Sequence, residues 1–350
     1  MNAPFDPEVI RQDFPIFERE FHGRRLAYLD SAATALKPRV VSDAVSAYDQ
    51  AFSANVHRAI YAIGEEATAA YEGARAKVAA FINAPDAREV IFVRNATEAI
   101  NLVAHTWGWM NIGRADAIVL TEMEHHSILV PWQIQAQAKD ADLEFVPFDA
   151  EGRLIMDSWE VLLRTGPKLV AFTHKSNTLG TLNDVRTMVR QAHEAGALVL
   201  IDGAQAVPHM PVDVQDLGAD FYVFSGHKTL APTGSGALWA RRELLEEMPP
   251  FMSGGDMISS VHLRHTTYNE IPHKFEAGTP AISSAIGLGA AIDYLSAIGM
   301  HNVAAHEEAL TAYALELLPG EVPGIRIYGP SVPAERAGII TFTLPEAHAH

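Results

Sequence analysis

At 350 residues, with 48% hydrophobic and 20% charged residues, the chain has the balance of a soluble globular protein larger than one typical domain. A formal net charge of −17 argues against broad nucleic-acid binding, which needs a basic face, and no stretch approaches the apolar length that spans a bilayer. The chain has no cysteine, which excludes disulfides, thiolate zinc sites and a cysteine nucleophile within these residues.

The start, MNAPFDPEVIRQDFPIF, has acids and prolines where a secretion signal has a basic end and an apolar run, so a cytoplasmic protein is expected. Residues 1–24 read as an N-terminal segment packing with a small domain, and a short strand is expected over Arg25–Leu29. Helical patterns follow at Val40–Phe52 and Glu65–Asn83. Short apolar, β-branched runs then predict seven strands: Glu89–Val93, Ala117–Leu120, Leu143–Pro147, Lys168–Thr173, Ala197–Ile201, Phe221–Phe224 and Gly236–Ala240. Helical patterns fall between them at Thr97–Trp107, Ile128–Lys139, Ser158–Arg164 and Val185–Ala195. Near-continuous apolar strands separated by helices give an α/β fold with a mainly parallel sheet covered on both faces. A large domain over residues 25–285 is expected, then the start of a smaller, incomplete α+β domain over 286–350, with a helix at Ile286–Ile298 and strand-like Gly338–Leu344.

In such sheets ligands gather beyond the carboxyl ends of the strands. Arg94-Asn95-Ala96-Thr97-Glu98 opens a helix, which is either a phosphate cradle or an ordinary cap by Asn95 or Thr97. Glu124-His125-His126-Ser127 offers an imidazole to stack on an aromatic ring. A metal site there is disfavoured, because successive side chains rarely point to one ion and no partner at helical spacing completes it. Asn177, in Ser176-Asn177-Thr178-Leu179-Gly180, can donate to a cofactor or substrate. Asp202, closing a buried strand, needs a cation or donors such as a pyridinium N–H; otherwise it is a turn cap. Gln205 can reach a ring hydroxyl. Lys228, in Ser225-Gly226-His227-Lys228, is either an activated amine or a solvated lysine, with Ser225 and His227 able to bind phosphate. Each motif is modest alone. Together they cover every functional group of pyridoxal 5′-phosphate (PLP).

Several stretches resemble a known family: YLDSAAT (28–34), NVHR (55–58), EEATAAYEGAR (65–75), TEAINLVA (97–104), EHHSILVPWQ (124–133), DGAQAVPHMPVDVQ (202–215), DFYVFSGHK (220–228) and KFEAGTP (274–280). From about residue 10 to the last residue, the chain resembles the fold-type I, class V aminotransferase-like PLP enzymes, and within them the group II (Suf-type) cysteine desulfurases. The resemblance implies a homodimer that converts L-cysteine to L-alanine and an enzyme-bound persulfide, sulfur that an acceptor protein carries into iron–sulfur cluster assembly. It assigns the Schiff base and proton transfer to Lys228, ring stacking to His125, the pyridine nitrogen to Asp202 and the ring hydroxyl to Gln205. The phosphate falls to Thr97, Ser225, His227 and the Ala96 N–H, with Thr279 reaching it from the partner subunit. Substrate contacts fall to Asn177, His57 and Arg58; no metal, nucleic acid or membrane is implied.

The chain departs from the family pattern in four places. Ala96 replaces one of two threonines at the phosphate cradle, Lys175 and Thr178 stand where apolar residues are usual, and Ala59 replaces a glycine. The family's catalytic cysteine and substrate-clamping arginine belong to a C-terminal loop of the small domain, and neither is present. The ending Pro345–His350 resembles the start of a small-domain helix, so a truncated chain is expected rather than a metal-binding or tag-like histidine tract. Without the cysteine, a selenocysteine lyase, a cysteine-independent β-elimination lyase or an inactive PLP-binding partner are the competing readings.

Overall fold

The computed structural model describes residues 5–58, 60–336 and 338–347, so the departure at Ala59 and the terminal histidines His348 and His350 lie outside the described residues. All seven expected sheet strands form: β1 (Val90–Val93), β2 (Ala117–Thr121), β3 (Asp142–Val146), β4 (Leu169–Thr173), β5 (Leu198–Asp202), β6 (Phe221–Ser225) and β7 (Gly236–Ala240). They make one sheet in the order β1-β7-β6-β5-β4-β2-β3. β2 runs parallel to β3 and β4, and β4 to β5, while edge strand β1 is antiparallel to β7. Every residue of β4, β6 and β7 is buried, as expected where both faces are covered. At the other edge β3 exposes Asp142 and Glu144 and buries Val146, a charged strand that discourages further pairing.

The main helices are α1 (Arg39–Ala51), α2 (Ala62–Phe81), α3 (Ala96–Val103), α4 (His126–Lys139), α5 (Met156–Leu163), α6 (Val185–Glu194), α7 (Ile282–Ile298) and α8 (Met300–Glu321). α6 shows why they form where they do. Asp184 caps it by accepting from the Thr187 N–H, and Val185, Met188, Val189 and Ala192 make one buried stripe.

The chain divides into two compact units. One comprises residues Met1–Trp107, Val212–Gln215 and Val223–Gly299; the other comprises Gly108–Pro211, Asp216–Tyr222 and Met300–His350. In the first, Tyr48, Val56, Ala67, Tyr71, Ile282 and Ala285 form a buried cluster among α1, α2 and α7. α7 crosses α2 so closely that a Cβ at Gly289 would lie 2.8 Å from the Ala74 Cβ. The N-terminal segment is pinned by Asp13, whose carbonyl accepts from the Arg39 N–H at 2.7 Å and whose carboxylate accepts from Tyr294 at 2.7 Å. In the second, the buried Arg336 guanidinium donates to the carbonyls of Tyr328, Pro330 and Ile339. Among the described residues no single helix is long and apolar enough to cross a membrane.

Two expectations need correction, and two elements add to them. The strand over Arg25–Leu29 is reduced to Arg24–Arg25, paired with Glu20–Phe21 across a turn at His22 and Gly23. Beyond it the chain leaves the hairpin, and the Tyr28 hydroxyl donates to the Thr34 carbonyl at 2.7 Å. The strand over Gly338–Leu344 shrinks to Thr341–Thr343, paired with Arg326–Tyr328. α8 and a hairpin, Ile258–His262 with His265–Tyr268, were not anticipated. α8 buries only Met300 and Thr311, and the hairpin leaves Val261 exposed, so neither carries a legible apolar period.

Candidate active site

Ala96, Thr97, Ser225, His227, Lys228, Thr279, His57 and Arg58 belong to the first unit; His125, Asn177, Asp202 and Gln205 belong to the second.

In the first unit the chain turns sharply after β6 into a short 3-10 helix, Gly226–Lys228. A segment that sequence reasoning missed holds this turn. The His227 carbonyl accepts from the Ala35 N–H at 3.0 Å and from Lys37 Nζ at 3.1 Å, and Thr34 Oγ1 lies 3.3 Å from it. Burial lowers the His227 pKa, and the nearby Lys228 and Lys37 charges add to that, which favours its neutral form. The Ala96 N–H donates to the buried Ser225 Oγ at 2.9 Å, joining the start of α3 to the end of β6. Asn95 caps α3 by accepting from the Glu98 N–H at 2.9 Å, which leaves Thr97 exposed at the helix start, where it lines an open cavity with Asn101 and His105. Thr279 is exposed at the rim of another cavity, of about 370 Å³, lined largely by apolar side chains such as Phe92, Leu102 and Phe275.

His57 and Arg58 each meet a carboxylate. His57 has a positive φ of 67°, its N–H donates to Thr68 Oγ1, and its Nε2 lies 2.8 Å from Glu72; Arg58 pairs with Asp256 at 2.8 Å. Among the described residues, His57, Glu72 and His273 bring possible metal-ligand atoms within 4.8 Å of one another. Both Glu72 oxygens, however, already accept from Arg75, at 2.9 and 3.2 Å.

In the second unit Asp202 closes β5 with 4% of its surface exposed, and its Oδ1 accepts from the Ala204 N–H at 2.9 Å. Gln205 is buried in the turn that follows. That turn presses on Tyr222: a Cβ at Gly203 would fall 2.1 Å from its ring. Burial and the Asp202 charge push the Tyr222 pKa up, and burial pushes His174 down to about 4. Tyr222 therefore keeps its proton and donates to neutral His174 Nδ1, 2.9 Å away. Gly203→Ala is expected to cost about 1–3 kcal/mol through overpacking against this pair, measured as a lower thermal midpoint.

His125 caps α4. Its Nδ1 accepts from the Ser127 N–H at 3.1 Å and lies 2.7 Å from Ser127 Oγ, which places the proton of the neutral ring on Nε2. The His125 and His126 rings are 5.9 Å apart and tilted by 42°. Glu124, also missed from sequence, turns inward. Its Oε1 accepts from Thr121 Oγ1 at 2.5 Å and from the Thr173 N–H at 3.1 Å, and burial raises its pKa to about 8. The motif Glu-His-His showed the glutamate, but only the packed strands show its burial. Asn177 sits half-buried in the loop after β4.

The family profile described as Aminotransferase class-V matches residues 27–350. A probable cysteine desulfurase of Streptomyces coelicolor is 53% identical, over 99% of this chain and 84% of its own length. The chain belongs to the cysteine desulfurases. A probable cysteine desulfurase of Synechocystis sp. is 49% identical, over 100% of this chain and 83% of its own. Among solved structures, the apo cysteine desulfurase of Thermococcus onnurineus NA1 superposes with a TM-score of 0.92 at 38% identity, covering 99% of this chain and 84% of that one. The seven-stranded, mostly parallel sheet is that of the fold-type I PLP enzymes, and the family's cofactor is PLP. The residues present fit that group: a buried carboxylate for a ring nitrogen, a lysine amine on a braced turn, and serine, histidine and threonine donors for a phosphate.

Proposed function

We propose that this chain desulfurates L-cysteine to L-alanine with PLP held at Lys228. We further propose that it works as a homodimer of the group II (Suf-type) kind, handing sulfur through an acceptor protein to iron–sulfur cluster assembly. The observation that carries the reading is the buried Asp202 carboxylate at the end of β5, a costly placement that a pyridinium N–H would repay. When bound, PLP supplies an electron sink that labilises the bonds at the substrate α-carbon.

The chain's own residues do the rest. Asp202 keeps the proton on the ring nitrogen, Gln205 bonds the ring hydroxyl, and His125, its tautomer set by Ser127, stacks on the ring. Thr97, Ser225 and His227 bind the phosphate, with the Ala96 N–H held in register by Ser225. The exposure of Thr279 at a cavity rim supports its reaching the phosphate of a partner subunit. Asn177 orients the substrate carboxylate, with His57 and Arg58 as further substrate contacts. Lys228 Nζ would hold the cofactor and would carry protons to and from the substrate carbon. These 350 residues hold no cysteine, so the thiolate that takes the sulfur comes from outside them.

The test is a PLP titration of the purified chain. Visible absorbance that survives desalting, changes on addition of L-cysteine, and is lost in Lys228→Ala is the expected result. A protein that stays colourless with excess PLP refutes the reading.

A further inference from the structure

Three polar side chains meet in the second unit, apart from the residues assigned above. Glu307, on α8, has its two oxygens taken separately: Oε2 by Lys175 Nζ at 3.0 Å and Oε1 by His209 Nδ1 at 3.1 Å. The Lys175 side chain is only 5% exposed, and that of Glu307 only 19%. Burial by itself would push the Glu307 carboxyl up, but the hydrogen bond and charge of His209, and then Lys175, outweigh it and hold it at about 2. Lys175 is also lowered, because burial lowers its pKa more than Glu307 raises it. Two donors thus converge on one carboxylate. A lysine this buried is costly unless it is paired.

The attachment points of the two donors decide what the cluster does. Lys175 opens the loop that carries Asn177. Lys175 bridges Leu182, the Ser176 N–H donates to the Thr181 carbonyl at 2.9 Å, and the Gly180 N–H donates to the Ser176 carbonyl at 3.1 Å. His209 ends the turn that begins at Gly203 and contains Gln205. There the Ala206 and Val207 N–H groups donate to the Gly203 carbonyl at 2.9 Å, and the His209 N–H donates to the Ala206 carbonyl at 2.9 Å. One carboxylate on α8 thus fastens both the Asn177 loop and the Gln205 turn to the same helix.

We propose that Glu307, acting through Lys175 and His209, is a positioning residue that fixes the Asn177 loop and thereby sets the affinity for the carboxylate of the amino-acid substrate. This rests on the role given to Asn177 above. Glu307→Gln alone strands a buried ammonium and endangers folding, so the informative variants are Lys175→Met and the double Lys175→Met/Glu307→Gln, which leaves no buried ammonium without its carboxylate.

In the PLP-loaded full chain, L-alanine affinity read from cofactor absorbance is expected to weaken about tenfold in both variants, with the absorbance before L-alanine unchanged. In the PLP-free chain, amide hydrogen exchange over residues 176–181 is expected to speed up by about tenfold or more, with β4 and β5 unchanged. Unchanged exchange in that loop overturns the proposal, as does L-alanine affinity within about twofold of the parent. A change confined to thermal stability likewise overturns it. Should the parent holoprotein fail to respond to L-alanine at all, it is the assigned substrate role that fails, and the loop-exchange measurement alone decides whether Glu307 positions the loop.

Discussion

Arg75→Leu is expected to lose about 3–5 kcal/mol of stability, the signature of breaking a buried ion pair from one side. The Arg75 side chain is 1% exposed, and it donates to both Glu276 oxygens at 2.6 and 2.9 Å. Its Nε donates to Glu72 at 2.9 Å, and a further N–H donates to the Val90 carbonyl at 2.9 Å. Burial alone would lower its pKa, but the Glu276 charge and hydrogen bond outweigh burial and drive it up. Glu276 also accepts from the Phe92 N–H at 2.8 Å and the Tyr71 hydroxyl at 3.0 Å, so removing the guanidinium strands a 6%-exposed carboxylate. The double variant Arg75→Leu/Glu276→Leu should recover part of the loss, because no charge is then left unpaired. Urea unfolding midpoints of the single and double variants make the comparison. A single variant as stable as the parent contradicts the account. The network binds α2 to β1, which leads into α3 and Thr97, so PLP retention should weaken with it.

The second large effect depends on pH. Glu124 is held at a pKa of about 8 against an ordinary value of 4.5, chiefly by burial and further by the Asp202 charge, despite hydrogen bonds from Thr121 and the Thr173 N–H. Among the described residues, its Oε2 is buried without a hydrogen-bond partner. A folded-state pKa raised above the unfolded value means the folded chain keeps a proton that the unfolded chain has released. The resulting stability is fully present below about pH 4.5 and is lost as pH climbs towards 8. Glu124→Gln keeps the shape and removes the titration. Relative to the parent, the variant should gain stability between these limits, reaching about 3 kcal/mol near pH 8, after allowing for relaxation around the charge. Parallel thermal-midpoint-against-pH curves for the two proteins would refute this.

Much of the architecture was legible because the central sheet strands are largely apolar. Runs such as Leu198–Asp202 and Phe221–Ser225 need no tertiary context to be seen, and their polar ends pointed to Asp202 and Ser225 directly. What escaped was of two kinds. α8 and the 258–268 hairpin bury too little apolar surface to impose a period. The supporting polar groups escaped for a different reason. Lys37, Glu124 and Glu307 are ordinary charged residues in sequence, and only packing makes a distant carbonyl, amide or ammonium their partner. Lys175 was visible as a departure from the family pattern, but its meaning depended on α8, which was not.

The three-way hold on the His227 carbonyl has a consequence for how the neighbouring lysine works. With the peptide plane ahead of Lys228 clamped by Ala35, Lys37 and Thr34, its Cα is a fixed pivot. Any travel of the amine then comes from rotation about the side chain's own carbon–carbon bonds. The lysine behaves as a tethered arm on a rigid post, whose reach is set by its methylene count and does not lengthen when the surrounding loops breathe.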